Sequence, residues 1–172
     1  MKNFFSSRKQ NLIILFILLF VTSCNTTKEY YDNGNLERIG KTKNDKKTGE
    51  WKFYHSNGKL WQIGDFKNDK QDGEWNYFHS NGNRQGIGRL KEGKRVGTWA
   101  WYHTNGEPFT KREWLNGNLE NVIFTYDGKG NKLDKGNIKN GTGELKLYDI
   151  NGKLTNINTY KNGEMVESKN IE

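Results

Sequence analysis

A fixed internal period constrains this chain more than any other feature. Tyr30-Tyr-Asp-Asn-Gly34 recurs as Tyr54-His-Ser-Asn-Gly58, Phe78-His-Ser-Asn-Gly82, Tyr102-His-Thr-Asn-Gly106, Tyr126-Asp-Gly-Lys-Gly130 and Tyr148-Asp-Ile-Asn-Gly152, with the glycines 24, 24, 24, 24 and 22 residues apart. A second marker keeps step nine residues earlier: Gly49-Glu50-Trp51, Gly73-Glu74-Trp75, Gly97-Thr98-Trp99 and Gly143-Glu144-Leu145. Asn121-Val122-Ile123 fills the slot between the last two without its glycine, and the short step falls at Asn140-Gly141-Thr142-Gly143. Units this small cannot bury an apolar side alone. They must stack on their neighbours.

Each unit reads as a hairpin. Glu50 to His55 (EWKFYH) is an aromatic run of strand type, and Asn57-Gly58 accepts positive φ and suits a type I′ turn. Lys59 to Lys67 can return as the second strand, before the charged turn Asn68 to Gly73. Gly64 recurs as Gly40, Gly88 and Gly136, which points to a bulge or a close backbone approach. About twelve strands at ~4.8 Å would span nearly 60 Å, and Met165 to Ser168 can add an edge strand. A chain only 32% hydrophobic and rich in lysine would ordinarily suggest disorder. Its recurring aromatics argue against that, and a single Ala argues against a helix bundle. The expectation is an all-β fold, an elongated antiparallel meander of about six 24-residue two-stranded hairpin repeats. Flat and curled forms of the sheet both fit the pattern.

The N-terminus reads as an address. Lys2, Arg8 and Lys9 precede the apolar run Leu12 to Val21, too short to span a bilayer but suited to a signal peptide. Val21-Thr22-Ser23-Cys24 resembles the lipobox of bacterial lipoproteins. That resemblance implies removal of residues 1–23, lipidation of Cys24 and stable anchoring by two or more acyl chains. It also implies a bacterial cell envelope location, and Asn25 in place of Asp favours the outer membrane. The expected organisation is then 1–23 signal peptide, 24–29 lipidated Cys24 and polar tether, 30–168 repeat domain and 169–172 tail.

The pattern G-x-W-x-x-Y-x-x-N-G-x-L, with a second glycine six residues later and a K-N-G/D turn, resembles the MORN-repeat variant family. The resemblance runs from about Tyr30 to Val166 and is best over Gly49 to Gly106. It weakens after Glu107, where Pro108-Phe109 replaces the leucine region and Asn121 the glycine. It implies two-stranded hairpin units in an elongated sheet, serving as scaffolds, protein-interaction surfaces or phospholipid contacts. Some family members are antitoxin-like.

Catalytic and metal readings find little support. His55, His79 and His103 share one repeat position, but residues two strands apart sit about 9.6 Å from each other, too far for three to converge on one zinc ion. Glu50, Glu74 and Glu144 recur in one context, so nothing separates an acid from a base. With Cys24 assigned to the anchor, no thiol nucleophile remains. The net charge of +8 falls to +5 without Lys2, Arg8 and Lys9, and the remaining basic residues alternate with acids, which disfavours nucleic acid. The sharpest candidate is a ladder of Trp51, Trp75 and Trp99, flanked by Tyr54, Phe78 and Tyr102. It is either the core or a row of platforms for sugars or quaternary ammonium groups.

The sequence therefore predicts a lipid-anchored envelope protein that binds without catalysis and needs no cofactor and no metal. Its expected partner is another envelope or secreted protein, with toxin neutralisation as an antitoxin or immunity-like protein as one version. Glycan or cell-wall binding through the Trp/Tyr ladder is the alternative.

Overall fold

The computed structural model describes residues 24–171, so the expected signal peptide lies outside the described residues. Twelve strands follow one another: β1 (Cys24–Tyr30), β2 (Leu36–Lys43), β3 (Lys46–Tyr54), β4 (Leu60–Lys67), β5 (Lys70–Phe78), β6 (Arg84–Lys91), β7 (Lys94–Tyr102), β8 (Pro108–Leu115), β9 (Asn118–Thr125), β10 (Gly143–Tyr148), β11 (Leu154–Lys161) and β12 (Glu164–Asn170). Strands β1 to β9 form one antiparallel meander in chain order, and β10 to β12 form a second sheet. The all-β repeat expectation holds, and neither sheet closes on itself.

The tether does not form. Residues Cys24 to Tyr30 pair along β2, from Cys24 opposite Lys43 to Tyr30 opposite Leu36. The polar stretch joins the ladder because β2 would otherwise be an edge with unpaired backbone groups. Lys169 and Asn170 likewise belong to β12, not to a tail.

The Asn-Gly turns are not the type I′ turns expected of them. At the Asn-Gly turns, Gly58 N–H donates to His55 carbonyl and His55 N–H to Lys59 carbonyl, and only Gly58 has positive φ. This is a type I turn closed by a left-handed glycine, with the register shift at Phe53/Tyr54 that such a glycine bulge produces. The paired positive φ values of a I′ turn occur at the opposite ends, at Asn44-Asp45, Asn68-Asp69, Glu92-Gly93 and Asn116-Gly117. Asn and Asp tolerate the left-handed region better than other non-glycine residues.

One device builds the core of the long sheet. Trp51 lies opposite Gly40 and Gly64, and Trp75 opposite Gly64 and Gly88. A Cβ on Gly40, Gly64 or Gly88 would fall under 3.0 Å from the indole of Trp51, Trp75 or Trp99 respectively. The bulge beside each glycine leaves a carbonyl that the buried indole N–H reaches: Lys41 from Trp51 (3.0 Å), Asp65 from Trp75 (3.2 Å) and Arg89 from Trp99 (3.1 Å). Glycine, bulge and tryptophan are therefore one unit. It lets a large ring lie flat on the backbone with its single donor satisfied.

The repeat then degrades. Arg112 stands opposite Trp99, where glycine stood before. In β9 the ladder slips, so Val122 and Leu119 are buried while Ile123, in the tryptophan slot, is 42% exposed. A one-residue shift exchanges the faces of a strand. The turn at Asp127 persists, with Gly130 N–H donating to Asp127 carbonyl, but its return segment makes only isolated bridges at Lys132, Gly136 and Lys139. That segment delivers Ile138 to a second core with Leu119, Val122 and Leu145. Trp114 packs against both this cluster and the aromatic one, and so joins the two sheets.

Candidate binding site

The repeated tryptophans are core. Trp51, Trp75 and Trp99 are at most 1% exposed, so none has a free ring face on which a sugar could stack. The platform reading fails at these three positions because the glycine opposite each one draws the indole onto the backbone. Tyr54, Phe78 and Tyr102 are half-buried near the turns, and Tyr102 lines an apolar groove with His79, Phe109 and Ile150.

The histidines and asparagines of the turns brace one repeat on the next. His55, His79 and His103 each place Nε2 at 2.9–3.0 Å from the carbonyl of Phe78, Tyr102 or Tyr126. Tyr31 holds the same slot in the first turn, donating its hydroxyl to Tyr54 carbonyl at 2.6 Å. Beside them, Asn33, Asn57, Asn81 and Asn105 donate side-chain amides to Ser56, Ser80, Thr104 and Gly128 carbonyls. These side chains are spent on structure. Glu50 pairs with Lys52 on the surface, and Glu74 accepts from Asn76.

A different feature emerges on the aromatic face, where Phe53, Phe66, Tyr77, Trp101 and Trp114 pack half-buried against the tryptophan core. Cations recur over it at one repeat position. Lys47 Nζ lies 5.2 Å from the Trp51 ring and 5.6 Å from Phe66. Two repeats later the Arg95 guanidinium lies 5.2 Å from Trp99, 5.8 Å from Trp101 and 5.0 Å from Trp114. Arg112, from the next strand, sits 5.2 Å from the same Trp101. Tyr77, Gln85, Arg95, Trp99 and Trp101 line a cleft of about 220 Å³ here.

The electrostatics of this corner are unbalanced. Among the described residues, neither Arg95 nor Arg112 forms an ion pair. Burial pushes Arg112 down to about 10, opposed by Tyr160 and reinforced by Arg95. Its Nε donates to Thr110 Oγ1 at 3.4 Å, a long and neutral contact. Burial also raises the Tyr77 hydroxyl above its ordinary value, opposed by the nearby Arg95. The Trp114 indole N–H is buried without an acceptor, unlike those of the three core tryptophans. A larger groove of about 510 Å³ runs along the I′ turns, lined by Lys67, Lys70, Arg89 and Lys91 with Asp72 and Glu92, and in it Lys70 pairs with Glu92 at 3.8 Å.

Sequence reasoning missed Arg95 and Arg112. The signal was present in Arg112, the one residue other than glycine opposite a core tryptophan of the long sheet.

Residues 24–44, 47–68 and 142–162 match the MORN repeat variant profile. The three segments coincide with hairpins β1–β2, β3–β4 and β10–β11. No curated protein sequence matches the chain.

Proposed function

We propose that this protein is a lipid-anchored, non-catalytic binding module of a bacterial envelope, with a protein partner held on the aromatic face of the long sheet. The observation that carries this reading is the row of Phe53, Tyr77 and Trp101 flanked by Lys47 and Arg95 on a chain with MORN-variant hairpins. Half-buried aromatics beside arginine are the composition of interface hot spots. MORN repeats are non-enzymatic modules that bind proteins or membranes, which supports the same role here. An envelope toxin is one candidate partner.

Cys24 supports the anchor by its exposure on β1. Acyl chains on it would hold the β1 edge close to the membrane, and the aromatic face would then project sideways along the sheet. Cys24→Ala in cells tests the anchor. Loss of acylation and accumulation of unprocessed chain is the expected result, and normal processing with retained membrane attachment would refute it. Capture of partners by the full chain, compared with a Tyr77→Ala, Trp101→Ala double variant, tests the face. A stoichiometric protein lost in the variant supports the module. Undiminished capture by the variant would place the partner elsewhere.

A further inference from the structure

We infer that the cleft between Tyr77 and Trp101 is a binding site for a carboxylate carried on a flat apolar group, held by Arg95. The inference rests on the module reading, because Tyr77, Trp101 and Arg95 belong to the same aromatic face, and titration with small probes tests it apart from capture of a partner.

Three observations converge. The first is a local excess of donors. Arg95, Arg112 and the Trp114 indole N–H lie together, and among the described residues no Asp or Glu side chain pairs with any of them. Two guanidiniums against one indole repel each other, and an anion between or beside them would relieve that repulsion. Four other cations meet acids, Arg38 with Glu29, Lys52 with Glu50, Lys70 with Glu92 and Lys146 with Asp134; most of the rest among the described residues form no ion pair on the surface, and Arg112 differs from those in its burial.

The second is the posture of Arg95. Its guanidinium rests against indoles while its residue remains exposed. A stacked guanidinium presents its in-plane N–H groups outward, the fork that matches a carboxylate in two parallel hydrogen bonds. Gln85 lines the same cleft and adds a neutral donor.

The third is the shape and chemistry of the walls. Tyr77, Trp99 and Trp101 surround about 220 Å³, room for a small ring or a short apolar stem but not for a sugar chain. Phosphate sites are built from free backbone N–H groups and several converging cations. Here the backbone of β5 to β8 is engaged in the ladder, and one guanidinium lines the cleft. A single negative charge on an aromatic or branched body fits better. Arg112, behind Trp101, contributes field without touching the ligand.

Such a carboxylate has two sources, a free organic acid or an Asp or Glu side chain beside an aromatic residue of a protein. Tryptophan fluorescence of the full chain in detergent, titrated with benzoate and with acetyl-Glu-Phe-amide, distinguishes them. Saturable binding of benzoate with little response to the peptide indicates the free acid, and the reverse indicates the side chain. Arg95→Gln should weaken the preferred probe tenfold or more. Arg112→Met should weaken it a few-fold while leaving the unfolding temperature equal or higher, because an uncompensated half-buried charge is replaced by an apolar chain. Arg95 is exposed, so its variant should fold. Three results would each overturn the proposal: benzyl alcohol binding as tightly as benzoate, inorganic phosphate displacing benzoate at equal concentration, or undiminished binding in Arg95→Gln. Failure of both probes to saturate on the folded wild-type chain would also overturn it.

Discussion

Between Trp51 and Trp99 each repeat of the long sheet is held by an indole lying on a glycine. From Arg112 onward the sheet continues without a fully buried indole, Trp114 being only half-buried, and a small aliphatic core takes over at Leu119, Val122, Ile138 and Leu145. The regular half uses its largest side chains for packing and satisfies the indole N–H of each core tryptophan, although Arg38 Nε on β2 is buried without a partner. The divergent half contains the uncompensated arginine, the unsatisfied Trp114 and the slipped register. In a repeat protein, what recurs is what every unit needs in order to stack. Chemistry particular to one site has to be sought where the recurrence fails.

The largest test of this contrast is truncation of each core. Trp75→Ala should cost about 3–5 kcal/mol and Leu145→Ala about 2–5 kcal/mol, both measured by urea unfolding. The tryptophan variant should weaken the long sheet first, and the leucine variant the β10 to β12 sheet. Equal effects of both variants on both regions would dissolve the distinction.

Glycine substitutions sharpen it. Gly64→Ala forces a methyl into the Trp75 ring and should cost about 1–3 kcal/mol by overpacking. Gly58→Ala meets no atom within 4 Å but keeps a positive φ, and should cost about 1 kcal/mol. A harmless Gly64→Ala would mean that the ring does not lie on the backbone.

The turn braces come next. Asn57 donates to Ser80 carbonyl and accepts from Lys59 N–H. Both bonds are exposed, so Asn57→Ala should cost about 0.5–1 kcal/mol and raise amide exchange in the two turns it links.

The smallest expected effect is a local pH response. Asp127 is held below its ordinary value of 3.8, first by the Asn131 side chain and then by the Asn131 and Lys129 backbone amides. Its contribution is therefore present above the unfolded value and is lost as pH falls through the folded one. Acidification from roughly pH 5 to pH 2 should loosen the turn at 126–131 before the Asn57 turn, as seen by amide exchange. Asp127→Asn should remove that difference.

Much of the fold was legible because periodicity is set by the backbone. The 24-residue step, the paired strands and the glycine opposite tryptophan follow from residues that recur. Turn type was not, since an Asn-Gly pair serves a type I turn with a glycine bulge as well as a I′ turn, and loop length decides between them. The pairing of Cys24 to Tyr30 was hidden because a polar edge strand carries no hydrophobic alternation. For the site, recurrence misled. The tryptophans drew attention as a ladder, whereas Arg95 and Arg112 occupy unlike slots and meet only across β7 and β8.

Hydrogen exchange of the intact chain, read peptide by peptide, tests the central claim most directly. The slowest exchange is expected in Trp51–Phe53, Trp75–Tyr77 and Trp99–Trp101, with β10 to β12 and the 131–142 segment opening earlier. Uniform protection across both sheets, or the strongest protection in β10 to β12, would contradict the indole-on-glycine unit as the organising element of this protein.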